Sequence, residues 1–350
     1  MSAKSFRCNQ RLLRAVTALS LAATVASPAA ASLSSSWTGN GADNKWSTGQ
    51  NWASNNPPAD STSAGNDVDF TFGSTATTNL NPDLDIGINI GSGGFNTFAI
   101  TFPSTAGAFT LSDSSNRGLD LLGSRAAGVT AKITNNSANT QTISANIIIR
   151  GDFNAGTEFT GSGNTTVSGA FSSASGGTPP NSGIVKSGAG TLTITSGSNS
   201  YTGPTLISAG SLKVTGAGRL GSSTNNASTV SVLSTAGALD LSGATISGGV
   251  INAIPNTASL SLAGGGAANT ADAGYLILPS GATETVSGLT LGGISQALGT
   301  YGSTSSSATF KNDEYFSGSG VLNVVPEPAS AALLASIAGL SLLRRRRRKT

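Results

Sequence analysis

Aspartate pairs are the groups in this sequence whose spacing is best suited to chemistry. The candidates are Asp67 with Asp69, Asp83 with Asp85, and Asp113 with Asp120. In a strand, the two members of an Asp-x-Asp pair share a face, which permits calcium binding or general acid/base catalysis. No set of Lys or Arg flanks these pairs, so we expect solvated or turn-capping roles. Whether the pairs 67/69 and 83/85 bind calcium is left open by the sequence.

Missing residue types exclude much of the remaining chemistry. The 350-residue chain has no His, one Cys (Cys8) and one Met (Met1). Without His there is no Ser-His-Asp triad and no His-ligated zinc. If residues 1–31 are removed, thiolate nucleophiles and disulfides are excluded as well. We therefore expect a protein that is not an enzyme, with no catalytic residue, no metal site and no cofactor.

The N-terminal 31 residues have the three parts of a secretory signal peptide. The basic part contains Lys4, Arg7, Arg11 and Arg14. A short apolar stretch follows at Ala15–Ala26, and Pro-Ala-Ala-Ala-Ser offers a cleavage site between Ala31 and Ser32. A dozen apolar residues are too few to span a bilayer of about 30 Å. We expect a signal-peptide helix that signal peptidase removes.

The C-terminal 25 residues combine three features in a fixed order. Pro326, Glu327 and Pro328 precede an apolar run at Ala329–Leu343, and a basic cluster follows that includes Arg344, Arg345 and Arg346. As a helix, the apolar run would reach about 22 Å, which is marginal for spanning a bilayer. The basic cluster would stay on the cytoplasmic side. A nucleic-acid partner is not expected, because the cations directly follow an apolar helix.

This order closely resembles the PEP-CTERM protein-sorting signal. The resemblance implies cleavage near Pro326–Pro328 by an exosortase-type membrane protease, after transient anchoring in the inner membrane by the C-terminal hydrophobic helix. It further implies release to the cell surface or extracellular matrix of a Gram-negative, exopolysaccharide-producing bacterium. A permanent anchor is the alternative, and it would leave the body on the same side of the membrane.

Short runs of alternating apolar and polar residues fill the body of the chain, residues 32–325. Examples are Val-Asp-Phe-Thr-Phe (68–72) and Thr-Leu-Thr-Ile-Thr (191–195), bounded by Gly, Asn, Ser or Pro. The pattern is typical of strands and turns. A body of this length exceeds one compact sandwich core, whereas stacked rungs each bury only a small apolar face. The sequence predicts an all-β protein, a right-handed parallel β-helix with a cap at each end.

One internal unit, residues 183–216, strengthens this prediction. It contains Lys186, Gly-Ala-Gly-Thr-Leu (188–192), Asn-Ser-Tyr-Thr-Gly (199–203) and Ala-Gly-Ser-Leu (209–212) at fixed offsets. It closely resembles the autotransporter-associated β-strand repeat, also called the passenger-associated transport repeat, of secreted β-helices. Lys186 and Lys213 belong to the repeat and are expected to be structural. The predicted regions are 1–31 (signal), 32–128 (Trp-rich cap and irregular β region), 129–288 (β-helix), 289–325 (closing β segment) and 326–350 (sorting signal).

Trp37, Trp46 and Trp52 lie within sixteen residues of one another. Their indoles favour a cap over the first rung, since a solenoid needs its ends covered. The alternative is a glycan platform, because indole rings stack on sugars and their N–H groups suit a half-wet surface. That alternative would make the protein an adhesin or glycan-binding module.

The charge of the body differs from that of the whole chain. The full sequence has a net charge of +3, but residues 32–325 contain nine cations and fifteen anions, a net charge of about −6. The basic character therefore belongs to the two ends. The favoured function is a non-catalytic surface or matrix protein, with exopolysaccharide as a candidate partner. A divergent β-helix polysaccharide lyase or hydrolase is the second alternative, after the adhesin.

Overall fold

The computed structural model describes ten segments of the chain. They are residues 33–58, 68–73, 78–87, 95–121, 130–149, 156–173, 183–222, 229–234, 236–264 and 275–326. The predicted signal peptide, Ala31, Ser32, Glu327, Pro328 and the C-terminal apolar and arginine segments lie outside the described residues. No helix within the described segments is both long and apolar enough to cross a bilayer.

Twenty-six strands form nearly all of the regular structure in these segments, as the sequence predicts. They are β1 Leu33–Trp37, β2 Val68–Phe72, β3 Phe95–Phe102, β4 Thr110–Leu111, β5 Leu119–Leu121, β6 Ala131–Asn135, β7 Gln141–Ile143, β8 Ile147–Ile149, β9 Thr157–Thr160, β10 Thr165–Val167, β11 Phe171–Ser173, β12 Ile184–Lys186, β13 Thr191–Ile194, β14 Thr205–Ile207, β15 Gly210–Gly216, β16 Thr229–Val232, β17 Gly237–Ala244, β18 Ser259–Leu262, β19 Leu276–Ile277, β20 Thr283–Val286, β21 Gly288–Leu291, β22 Ile294–Ser295, β23 Gly299–Gly302, β24 Phe310–Lys311, β25 Phe316–Ser317 and β26 Val321–Val324. A single 3-10 turn, Gly49–Asn51, accompanies them.

The strands pair in parallel along three faces. The first face runs β1, β2, β3, β6, β9, β12, β14, β16, β18, β21. The second runs β4, β7, β10, β13, β15, β17, β19, β25. The third begins with the start of β3 and continues through β5, β8 and β11. Backbone hydrogen bonds carry the third face on through residues 199–201, 219–222 and 251–253 to β20 and β26.

The chain visits the three faces in turn, so that β6, β7 and β8 form one rung and β9, β10 and β11 the next. This confirms the predicted parallel β-helix. The parallel ladder begins at β1, upstream of the predicted boundary at residue 129. Inward side chains stack in columns, such as Leu111, Ile143, Val167 and Ile194 on the second face, all about 1% exposed or less. Alternation in the sequence thus becomes alternation between core and solvent.

Aromatic residues and reversed strands close the two ends. Trp37, Trp46 and Trp52 pack with Phe70 and Phe72 at the N-terminal end. At the C-terminal end, β22 turns back antiparallel to β21 through Gly292 and Gly293, both of which have positive φ. β23 likewise pairs antiparallel to β26. Both predicted caps are therefore present.

Candidate functional site

Lys186 is a charged side chain near the start of the predicted repeat, and it points into the solenoid. It occupies an inward column between Phe159 and Ile207 and is 3% exposed. Its ammonium group donates hydrogen bonds to the carbonyl oxygens of Gly188 and, at 3.1 Å, of Ala209. Burial lowers the pKa of Lys186 to about 8, because desolvation penalises the charged form. Lys186 thus joins the corner of its own rung to the corner of the next, the structural role expected for it.

Glycines build the corner that Lys186 reaches. A Cβ on Gly188 would overlap the backbone of Gly161, and one on Gly190 would overlap the carbonyl of Gly163. Gly210 has φ +68° and lies against the carbonyls of the two corner glycines below it. Rungs can stack this closely only where no side chain intervenes. The Gly-Ala-Gly turn is therefore a packing element.

Asn199 and Tyr201 fix the third face of the repeat. The Asn199 side chain accepts the backbone N–H of Phe171 at 2.8 Å and donates to the carbonyl of Arg219 at 2.6 Å. It therefore bonds to the rungs on both sides. The Tyr201 hydroxyl is buried 2.7 Å from the Thr205 hydroxyl, and burial raises the pKa of Tyr201 to about 12. The Asn-Ser-Tyr-Thr-Gly motif holds adjacent rungs in register.

The outer surface of the repeat carries a paired charge. Lys213, unlike Lys186, points outward, and its Nζ lies 3.0 Å from the carboxylate of Asp240 on the next rung. Burial alone would raise the pKa of Asp240, but hydrogen bonds from Ser242 and Lys213 outweigh it and hold the pKa below its ordinary value. This ion pair bridges two rungs from outside, as the Lys186 hydrogen bonds do from inside.

Asp83, Asp85 and Asp113 accept hydrogen bonds from nearby backbone and hydroxyl groups, and Asp113 caps a local turn. Asp83 accepts hydrogen bonds from the Ser112 hydroxyl at 3.1 Å and the Ser114 backbone N–H at 2.8 Å. These bonds hold its pKa below the ordinary value although burial opposes them. Asp85 accepts from both the backbone N–H and the hydroxyl of Ser47. Asp113 caps the turn that follows it by accepting two backbone N–H groups, at 2.8 and 2.7 Å.

Of the remaining candidates, Asp69 and Asp120 also have partners, and Asp67 lies outside the described residues. No cluster of three or more metal-ligating side chains occurs in the segments that the structure describes.

The structure contradicts the alternative prediction that the three tryptophans form a glycan platform. Trp37, Trp46 and Trp52 are each 1% exposed. Trp52 meets Trp37 and Trp46 edge to face, with ring centroids 5.0 and 5.3 Å apart. Its indole N–H donates to the carbonyl of Trp46 at 2.8 Å, and that of Trp37 donates to Asn79 at 3.1 Å. The ring faces are occupied by protein because the indoles cover the first rungs, so no sugar can stack on them.

Glu284 is a buried carboxyl that sequence reasoning missed. It is fully buried on the third face and accepts the backbone N–H groups of Ala253 at 2.9 Å and Ile254 at 3.4 Å. Burial raises the pKa of Glu284 to about 8 and outweighs these hydrogen bonds and the nearby charge of Arg219. The signal was its position in Thr-Glu-Thr-Val, which places it on the same face as the buried Val286.

The described residues include one of the predicted processing residues. Pro326 is exposed, two residues after β26 ends. The other predicted processing residues lie outside the described residues, namely Ala31, Ser32, Glu327, Pro328, Arg344, Arg345 and Arg346.

Comparison with known families identifies the central unit. A family model described as passenger-associated transport repeat matches residues 184–214, which confirms the repeat predicted at 183–216. No curated protein and no solved structure matches the chain. The matched segment begins at β12 and ends within β15, so it contains Lys186, the corner glycines and Asn199. A passenger-associated transport repeat indicates a secreted or cell-surface protein.

Proposed function

We propose that this protein is a non-catalytic structural component of the cell surface or extracellular matrix of a Gram-negative bacterium. The proposal rests on the hydrogen bonds that the reactive side chains of the solenoid form. Lys186, Glu284 and the Asp83 carboxylate each bind backbone groups of neighbouring rungs or turns. Side chains held in this way serve the rigidity of the solenoid. The passenger-associated transport repeat supports a location outside the cytoplasm.

Export and sorting complete the proposal. Signal peptidase would cut between Ala31 and Ser32, and an exosortase-type protease would cut near Pro326–Pro328 after the apolar segment has entered the inner membrane. The exposed position of Pro326 supports this route, because the proposed cleavage site begins where the last strand has ended. The released body would be mildly acidic, with a net charge of about −6 for residues 32–325.

Exopolysaccharide is the proposed matrix partner. Ser, Thr and Asn side chains alternate outward along the strands, and their hydroxyl and amide groups both donate and accept hydrogen bonds. A mildly acidic body would not attract nucleic acid, which carries a dense negative charge.

Fractionation of the native bacterium, followed by intact-mass analysis of the recovered protein, tests the proposal. We expect a surface or matrix species that begins at Ser32 and ends near Glu327. A Glu327→Ala variant should keep its C-terminal segment, whereas the matched control Glu314→Ala, within the body, should be processed normally. Full-length protein in the cytoplasm would contradict the proposal at both ends.

A further inference from the structure

The second face carries an ordered array of hydroxyl groups on its outer side. Thr110 pairs with Thr142, Thr142 with Thr166, and Thr166 with Thr193, each in the same register. Two residues further along each strand, backbone hydrogen bonds continue the ladder into a second outward column. The two columns together are called the hydroxyl array: Thr110, Thr142, Thr166 and Thr193, with Ser112, Ser144, Ser168 and Thr195.

The hydroxyl array is a two-dimensional lattice. Adjacent parallel strands lie about 4.8 Å apart, and residues two apart along a strand are separated by about 6.6 Å. No register shift interrupts the pairing from β4 to β13. The inward neighbours Leu111, Ile143, Val167 and Ile194 are buried and hold the strands in place from beneath. The spacing of the hydroxyls is therefore fixed by the backbone.

The threonines of the array are open to an outside partner. Within the described segments, the hydroxyls of Thr110, Thr142, Thr166 and Thr193 make no side-chain hydrogen bond to protein. Threonine is also stiff at χ1, so little side-chain entropy remains to be lost on binding. Ser112 and Ser144 differ. The Ser112 hydroxyl donates to the Asp83 carboxylate at 3.1 Å, and the Ser144 hydroxyl donates to the Leu111 carbonyl at 3.1 Å.

Charge defines the limits of the array. The four strands that carry it, β4, β7, β10 and β13, contain no charged and no aromatic side chain. Asp83 borders the array on one side, paired across a bridge with Ser112. On the other side Lys213 and Asp240 replace threonine in the same column and neutralise each other at 3.0 Å. The partner that fits is therefore uncharged and needs no aromatic stacking.

We propose that the hydroxyl array binds ice. An ice surface is an uncharged, two-dimensional lattice of hydrogen-bond donors and acceptors, and the array is a two-dimensional lattice of such groups as well. A hydroxyl can donate to one water and accept from others. A dissolved sugar chain can form hydrogen bonds to these hydroxyls, but this face offers it no aromatic ring on which to stack. The inference rests on the geometry of the second face and not on the proposed matrix function.

Partition of the purified full chain into slowly growing ice, together with thermal hysteresis, tests this inference. The wild-type protein should be enriched in the ice fraction and should hold the freezing point below the melting point. Thr166→Tyr places a ring at the centre of the array and should reduce the hysteresis about tenfold, as for a central contact residue. The matched control is Thr134→Tyr, an outward position of the first face flanked by Thr101 and Thr160, which should behave as wild type.

Both substitutions point outward, so both variants should fold. Circular dichroism and the thermal midpoint of each variant check this. The inference is overturned if the wild-type protein is excluded from ice, or if the two tyrosine variants have equal hysteresis. Adsorption of the same proteins to crystalline cellulose, measured in parallel, distinguishes binding to a polysaccharide lattice from binding to ice. Loss of cellulose binding in Thr166→Tyr without any ice adsorption would assign the array to a polysaccharide and refute ice binding. Because both measurements use purified protein, failure of the proposed surface location would not affect them.

Discussion

Replacement of Glu284 by Gln should remove the pH dependence that this buried carboxyl gives to the free energy of unfolding. In the folded protein the pKa of Glu284 is raised to about 8 by burial, compared with an ordinary value of 4.5. Between these values the unfolded chain has released the proton while the folded chain retains it. The free energy of unfolding therefore falls by about 1.4 kcal/mol per pH unit as the pH rises through this window, about 5 kcal/mol in all. The full contribution is present below pH 4.5 and is lost as the pH passes 8.

The amide carbonyl that Glu284→Gln introduces can still accept the N–H groups of Ala253 and Ile254, but it does not titrate. Urea denaturation of the wild type and Glu284→Gln, followed by circular dichroism from pH 5 to pH 9, measures the difference. The variant should be the more stable protein at pH 8 and above, and its stability should change less across the window. The lowered pKa values of Asp83, Glu158 and Asp240 do not interfere, because their contributions are lost only as the pH falls below about 4. Parallel pH profiles for the two proteins would refute this account of the carboxyl.

Lys186→Met should abolish a rise in the free energy of unfolding between about pH 8 and pH 10.5. In this window the lysine has lost its proton in the folded protein but not in the unfolded chain. Urea denaturation at alkaline pH measures the rise, and an unchanged rise in the variant would contradict this. Gly183→Ala should destabilise the protein by about 2–3 kcal/mol, since its Cβ would overlap the Pro204 carbonyl. The control Gly288→Ala, whose Cβ would lie 3.7 Å from the nearest atom, should leave the urea midpoint nearly unchanged. Trp52→Ala should cost about 3–5 kcal/mol, and wild-type tryptophan fluorescence should resist acrylamide quenching; efficient quenching would show that the indoles are exposed.

The alternation of the sequence is sufficient to predict the fold because most strands of the first and second faces bury every second residue. Val68, Phe70 and Phe72 are buried and the residues between them are not, and this local rule holds in rung after rung. Parallel pairing begins at β1, upstream of the predicted β-helix boundary at residue 129. Pairing between β1, β2 and β3 depends on residues about thirty positions apart, and no local pattern records that distance.

The burial of the two charged core residues could not be predicted from the local sequence pattern. Lys186 and Glu284 sit on the apolar face by alternation, yet their charge favours solvent, and burial energetics alone do not decide between the two. Backbone groups of neighbouring rungs decide it, namely the carbonyls near Lys186 and the N–H groups near Glu284. The three tryptophans pose the same kind of question. Their spacing fits both a cap and a platform, and only the positions of Phe70 and Phe72 beneath them settle the outcome.

The reversal of β22 ends the parallel ladder of the first face. A stack of parallel rungs has no natural end, because the edge of each rung is a template for another strand running the same way. Here the chain turns at Gly292 and Gly293 and lays Ile294–Ser295 along the edge in the opposite direction. An incoming strand in the direction of the rungs below would meet an antiparallel neighbour instead of another rung. The parallel ladder of the first face thus ends within the chain, and no further parallel strand can pair with the two residues of β21 that β22 occupies.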